Sequence, residues 1–236
     1  MPNDKQSIVF LLDVDNTLLD NDRFSEDLDV RLERDFGREG RKRYRTLYAE
    51  LWDELGYADY LGAVQRFRER FDDDDESSLL RLAGYILEYP FAERVYNATA
   101  QVIEHLKTIG TPVILSDGDM VLQPLKIRRS GLWEAVDGRV SVFIHKQYRV
   151  DTVQRRWPAR HYVMVDDKPL ILAAMKAVLG PALTTVFVRQ GRHALNQQLG
   201  ACDPQPDLSV GGIGELRAKE RHDFIDAAKA STRAVP

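Results

Sequence analysis

"VFLLDVDNTLLD", residues 9–20, runs four apolar residues straight into two carboxylates, Asp13 and Asp15. An uninterrupted apolar run of this length is the pattern of a strand covered on both faces, as in a parallel sheet packed between helices. Two acids held together at its end repel each other unless a cation sits between them. The stretch therefore predicts an interior strand of an α/β sheet that ends in a charged site.

The chain beyond it has two textures. From about residue 24 to 107, helix formers dominate, with apolar residues at helical period. "VRLERDF" (30–36), "YRTLYAELWDEL" (44–55), "YLGAVQRFRERF" (60–71) and "SLLRLAGYIL" (78–87) read as four helices joined by short polar breaks. Pro90 then breaks the pattern, and a further helix from about Ala92 or a little later ends at Gly110. From Thr111, short apolar strands alternate with helical stretches. "TPVILS" (111–116), "GRVSVFI" (138–144), "RHYVMVDD" (160–167) and "TTVFVRQ" (184–190) are the strands; "MVLQPLKIRRSG" (120–131), "VDTVQRRW" (150–157) and "PLILAAMKAVLG" (169–180) are the crossovers. The expected fold is α/β: a doubly wound, Rossmann-like parallel sheet, residues 1–22 and 92–236, interrupted after its first strand by a helical cap, residues 23–91. No internal repeat is visible, and the tail "KASTRAVP" (229–236) reads as frayed.

Bulk properties narrow the function. The 236 residues are 44% hydrophobic and 30% charged, an ordinary globular balance. No apolar run approaches the roughly 18 residues that cross a bilayer, and "MPNDKQS" has no leader pattern, so a cytoplasmic protein is expected. A single cysteine, Cys202, excludes an internal disulfide and a multi-cysteine zinc site. The net charge of −4 gives no global attraction to nucleic acid or to an acidic membrane. In "RKRYR" (41–45), Arg41, Lys42, Arg43 and Arg45 spread around a helix whose Tyr44, Leu47, Tyr48 and Leu51 form the buried stripe, which is a solvated face rather than a nucleic-acid patch. "FDDDDESS" (71–78) reads as a linker whose acids cap the next helix. Oligomeric state is left open.

Chemistry gathers at the strand ends. In an open parallel sheet, ligands bind beyond the carboxyl edge, where strand order reverses. Asp13 and Asp15 follow the first strand; Ser116, Asp117 and Gly118 follow the second; His145 and Lys146 follow the third; Asp166 and Asp167 follow the fourth. Carboxylates in that number need a cation, and hard oxygen ligands with water suit Mg²⁺. Asp13 and Asp166 are the expected direct ligands and Asp167 the holder of its waters, with Asp15 contributing through its backbone carbonyl. Ser116, Asp117 and Gly118 lie where backbone N–H groups donate to phosphate oxygens, and Lys146 adds a positive charge. In this reading Asp13 attacks phosphorus, and Asp15 handles protons on the leaving group and on water.

These residues resemble the haloacid dehalogenase-like hydrolase superfamily. "DVDNTLLD" (13–20) is similar to its first motif, "ILSDGD" (114–119) to its second, Lys146 to its third and "MVDDK" (164–168) to its fourth. The long gap between the first two falls where one branch of the family carries a helical cap, and the resemblance covers most of the chain. It implies a metal-dependent phosphatase with Asp13 as nucleophile and Asp15 as general acid/base. Dehalogenases of the family lack an aspartate at the position of Asp15, so the resemblance points away from carbon–halogen cleavage. Two departures stand out: Lys146 is followed by "QYRVD" where many capped relatives have proline, making Arg149 an alternative to it, and the fourth motif has no further acid after Asp167.

The expected partner is a small phosphorylated metabolite, with no nucleic acid and no membrane. Rival readings are a phosphomutase of the same chemistry, a non-catalytic phospho-acceptor like a receiver domain, and an interaction protein using the basic helix. His105, His161 and His222 read as structural, and His145 as a neighbour that orients the site loop. Tyr48, Trp52 and Tyr57 read as packing residues of the helical insertion, with a substrate-facing role for one of them as the alternative. "GGIGEL" (211–216) lacks the first-strand context of a phosphate loop, and Cys202 carries no function.

Overall fold

A computed structural model describes residues 8–69, 76–196 and 202–233. Its centre is β1 (Ile8–Leu12), buried along its whole length. Parallel partners flank it on both sides: Val9 lies opposite Thr111 of β2 (Thr111–Asp117) and Tyr162 of β4 (His161–Asp166). With β3 (Val140–Phe143), β5 (Leu183–Val188) and β6 (Leu208–Val210), the described residues form one sheet in the order β3-β2-β1-β4-β5-β6, parallel throughout. Strand order reverses at β1, which puts the switch point directly beyond Asp13.

Side chains alternate across β1 with the period of two that a strand imposes. Ile8, Phe10 and Leu12 join one apolar cluster, and Val9 and Leu11 the other. Helical elements cover both. The insertion comprises α1 (Asn21–Leu55), α2 (Tyr60–Glu69) and α3 (Glu76–Glu88). After it come α4 (Thr99–Ile109), α5 (Leu122–Arg129), α6 (Leu132–Ala135), α7 (Val150–Arg156), α8 (Pro169–Leu179), α9 (Gly191–Asn196) and α10 (Arg221–Arg233). The Phe10 face packs on α4, α5 and α10, and the Leu11 face on α7 and α8. No helix among the described residues is long and apolar enough to cross a membrane.

The α1 element doubles back on itself. Arg45 Nη2 donates to Ser25 O at 2.7 Å, although 20 residues of straight helix would hold them about 30 Å apart. The reversal is at Gly37, whose φ of 71° and ψ of 179° belong to a region open almost only to glycine. Two helices expected at 30–36 and 44–55 are thus arms of one hairpin, and the residues between them are helical apart from Gly37. The arms neutralise part of the basic run, with Arg41 paired to Glu33 and Arg45 to Asp29. Tyr44, Leu47 and Leu51 are buried as the periodicity required.

Other differences have simple causes. The strand β6 has three residues, too few to show a period. The tail expected to fray is helical to Arg233, in a helix that buried Phe224 anchors edge-on against Phe10 with ring centroids 5.2 Å apart; residues 234–236 lie outside the described residues. The helix expected from about Ala92 or a little later is α4, which starts at Thr99 after a short 3₁₀ turn, Phe91–Arg94, and ends at Gly110 as expected. Asp72 to Asp75 lie outside the described residues, and Glu76 opens α3. The insertion leaves and rejoins the core side by side: Tyr96 N donates to Leu18 O at 3.0 Å and Asp20 N to Arg94 O at 2.7 Å.

Candidate active site

The carboxyl edge of the sheet brings the strand-end residues together. Asp13 follows β1 directly, its N–H donating to Val165 O of the neighbouring strand at 3.0 Å. Both of its carboxylate oxygens are engaged. Lys146 Nζ donates to Oδ1 at 2.5 Å, and Thr17 Oγ1 donates to Oδ2 at 3.3 Å. Lys146 is buried and also lies 2.7 Å from Asp166 Oδ2. Burial alone would lower its pKa, but the carboxylates of Asp13, Asp166 and Asp117 outweigh burial and hold the ammonium protonated. Arg149, the alternative, is exposed.

Asp13, Asp166 and Asp167 each offer a carboxylate oxygen, all within 4.8 Å of one another. Asp167 is fully buried, and neither of its carboxylate oxygens has a hydrogen-bond partner among the described residues. Its pKa is pushed up by burial and then by the charges of Asp166 and Asp13. Asp166 is pushed up in the same way, against the pull of Lys146, and accepts from Lys168 N at 2.9 Å. Lys168 is raised too: burial opposes its charge, and the three carboxylates overcome burial. Four acids (Asp13, Asp117, Asp166, Asp167) thus face two ammonium groups. Orphaned oxygens and surplus negative charge are what a hard divalent cation would satisfy, so the residues present fit one.

Asp15 is not part of that triad. Its carboxylate turns to Lys126, whose Nζ donates to Oδ1 at 2.8 Å and to Oδ2 at 3.0 Å. Ser116 is buried at the end of β2, where its Oγ accepts from Gln123 Nε2 at 2.9 Å. Asp117 Oδ1 accepts from Lys146 N at 2.7 Å, and burial raises the Asp117 pKa against the opposing charge of Lys146. Gly118 differs from expectation: its N–H already donates to Phe143 O at 3.1 Å, so it is not a spare donor for phosphate.

Above these groups is a cavity of about 370 Å³. Tyr48, Trp52 and Tyr57 of the insertion face Asp15, Asp117 and Asp167 across it. The three aromatics therefore line the cavity; Tyr48 also packs, lying 4.8 Å centroid to centroid from Tyr60, whereas Trp52 is exposed. His145 packs against Gly56, where the insertion meets the core. His105 and His161 make structural contacts away from the site: His105 Nε2 bonds Lys219 O at 2.8 Å and His161 Nε2 bonds Thr184 Oγ1 at 2.7 Å. In "GGIGEL", Gly211 N donates to Glu215 Oε1, and Cys202 is buried against Pro169 O.

Sequence reading missed Lys126, Gln123, Thr17 and Asn21. The structure shows what two of them do: Leu122, Gln123, Lys126 and Ile127 share one buried stripe of α5, so an amide and an ammonium occupy an otherwise apolar face.

A parallel sheet with its acids at the switch point and a helical insertion after the first strand defines a doubly wound α/β protein with an acidic strand-end site. A haloacid dehalogenase-like hydrolase from Burkholderia xenovorans is 49% identical, with a TM-score of 0.84, over 91% of this chain and 99% of that one. The chain belongs to the haloacid dehalogenase-like hydrolase family. More distant structures share the fold. A family hydrolase from Bacillus subtilis bound to magnesium is 17% identical with a TM-score of 0.60, over 91% of this chain and 97% of that one. The L-2-haloacid dehalogenase of Xanthobacter autotrophicus is 20% identical with a TM-score of 0.57, over the same shares. No family model matches the chain, and no curated protein matches it.

Proposed function

We propose that the protein is a Mg²⁺-dependent phosphomonoester hydrolase that acts on a small phosphorylated metabolite through an aspartyl phosphate on Asp13. The observation that carries this reading is the grip on Asp13: Lys146 and Thr17 fix its two oxygens beside the unpartnered carboxylate of Asp167. Asp15 lies on the same cavity. Mg²⁺ held by Asp13, Asp166 and Asp167 would supply the positive charge that lets a phosphate dianion approach a carboxylate.

The chain's own groups do the rest. Asp13 attacks phosphorus as the ester P–O bond breaks, and Asp15 gives a proton to the departing oxygen. Asp15 then takes a proton from the water that adds to phosphorus, which cleaves the acyl phosphate and frees Asp13 and inorganic phosphate. Lys146 offsets charge on Asp13 and on the phosphoryl group, and the Ser116 hydroxyl can turn its hydrogen toward a phosphoryl oxygen. Residues 23–91 act as the cap: their aromatics cover the acids, exclude bulk water and limit the substrate to something small.

Release of phosphate from a panel of small esters, with and without Mg²⁺, tests this. Turnover should require Mg²⁺, and Asp13→Asn should lower it more than about 10³-fold. Carbon–halogen hydrolysis is the rival suggested by the dehalogenase structures, which at 20% identity share the fold alone. Halide release from 2-haloacids without phosphate release from any ester would overturn the phosphatase reading. Return of the phosphoryl group to a sugar phosphate would make the enzyme a mutase instead.

A further inference from the structure

Lys126 lies one turn into α5, with its side chain only 1% exposed. An ammonium has three N–H donors, and here each has a partner. Two are the oxygens of Asp15; the third is Asn21 Oδ1, at 2.9 Å. Around the charge lie the rings of Phe24 and Phe91, with centroids 5.9 and 5.7 Å from Nζ. Gln123, one turn earlier, donates from the same Nε2 to Asp15 Oδ2 at 3.3 Å and to Ser116 Oγ at 2.9 Å.

These contacts have a pattern that a simple structural ion pair lacks. Asp15 faces the cavity, while Asn21 and Phe24 belong to the first turn of α1 and Phe91 to the returning segment. Both crossings of the insertion therefore meet the one cation that holds Asp15. A buried ammonium is tolerated only while its partners are in place. If the insertion lifts, Lys126 loses Asn21 and both rings, and its hold on Asp15 loosens with them.

We propose that Lys126 is a positioning residue for Asp15, orienting that carboxylate in the cavity when the two crossings of the insertion are packed against it. The proposal rests on the phosphatase reading of Asp15 as the group that moves protons. It makes the seating of the insertion and the aim of Asp15 a single event.

The test is steady-state and stopped-flow hydrolysis of p-nitrophenyl phosphate with Mg²⁺ by the full chain. It compares the parent, Lys126→Met, Lys126→Arg, Asp15→Asn and the Asp15→Asn/Lys126→Met double variant, each with its thermal melt. Lys126→Met should lower kcat about 10- to 100-fold, the cost of a misplaced group, while KM changes by less than about threefold. Lys126→Arg should recover part of that loss. The decisive comparison is the double variant: if Lys126 acts through Asp15, it turns over no more slowly than Asp15→Asn alone. That pair also removes the carboxylate left unpaired, so it decides the matter even where Lys126→Met alone does not fold. A Lys126→Met enzyme with the parent's kcat, or a double variant slower than Asp15→Asn by the full Lys126→Met factor, overturns the proposal and leaves the phosphatase reading standing. A parent inert toward every ester, and insensitive to Asp13→Asn, overturns that reading itself and the role of Lys126 with it.

Discussion

Asp167 shows how much one buried side chain can report about the charge around it. Burial and its acidic neighbours raise its folded pKa above the ordinary carboxylate value, so the folded state holds a proton that the unfolded state has released. Between those two values stability falls as pH rises, because the charge forms in a site that does not solvate it. Without divalent cations, Asp167→Asn should therefore stabilise the protein more at pH 8 than at pH 5. Mg²⁺ should reverse the effect. At a hundredfold excess over its Kd it adds about 2.7 kcal/mol to the parent, and the asparagine variant should gain much less. Melts in chelator and in Mg²⁺ at the two pH values check both halves. Such acids were legible in the sequence because each directly follows an apolar run, and a strand end has only one edge to face. Lys126 and Gln123 were not legible, since a single sequence does not say which face of an eight-residue helix turns inward.

The α1 hairpin is an element whose direction depends on one residue. A Cβ on Gly37 would meet nothing within 4 Å, so the cost of Gly37→Ala is conformational alone. It should destabilise the protein by about 1–3 kcal/mol, the usual penalty for a side chain forced into that backbone region. A urea midpoint that falls with an unchanged m-value is the expected signature. Helical period revealed the two arms, yet not that they are antiparallel, because one glycine inside a helical pattern is more often merely tolerated. The short strand β6 and the helical tail escaped for a related reason. Both are defined by what they meet, β5 in one case and Phe10 in the other, rather than by a pattern of their own.

At the scale of the whole molecule, the insertion and the core touch over the site through Gly56 and His145. A Cβ at Gly56 would come within 2.4 Å of the His145 ring, on a backbone with φ of +74°. Gly56→Ala should displace that contact and reduce kcat/KM for small esters about tenfold, with a smaller effect on the melting temperature. An unchanged kcat/KM would mean that the cap closes by other contacts. The division into a sheet and a helical insertion was legible from texture alone; how the two face each other was not, because that depends on which aromatic residues turn toward the acids. The order of the strands has another consequence, for synthesis. The central strand β1 is made first, but its two neighbours start about a hundred and about a hundred and fifty residues later, at Thr111 and His161. At 5–20 residues per second, the five apolar residues Ile8 to Leu12 wait roughly 8 to 30 s for the second of these partners to be made. The helices between them close through contacts nearer in sequence and can consolidate meanwhile. The nascent chain thus spends that interval with a finished helical insertion and a sticky core strand still short of one or both partners, the form in which a chaperone would meet it.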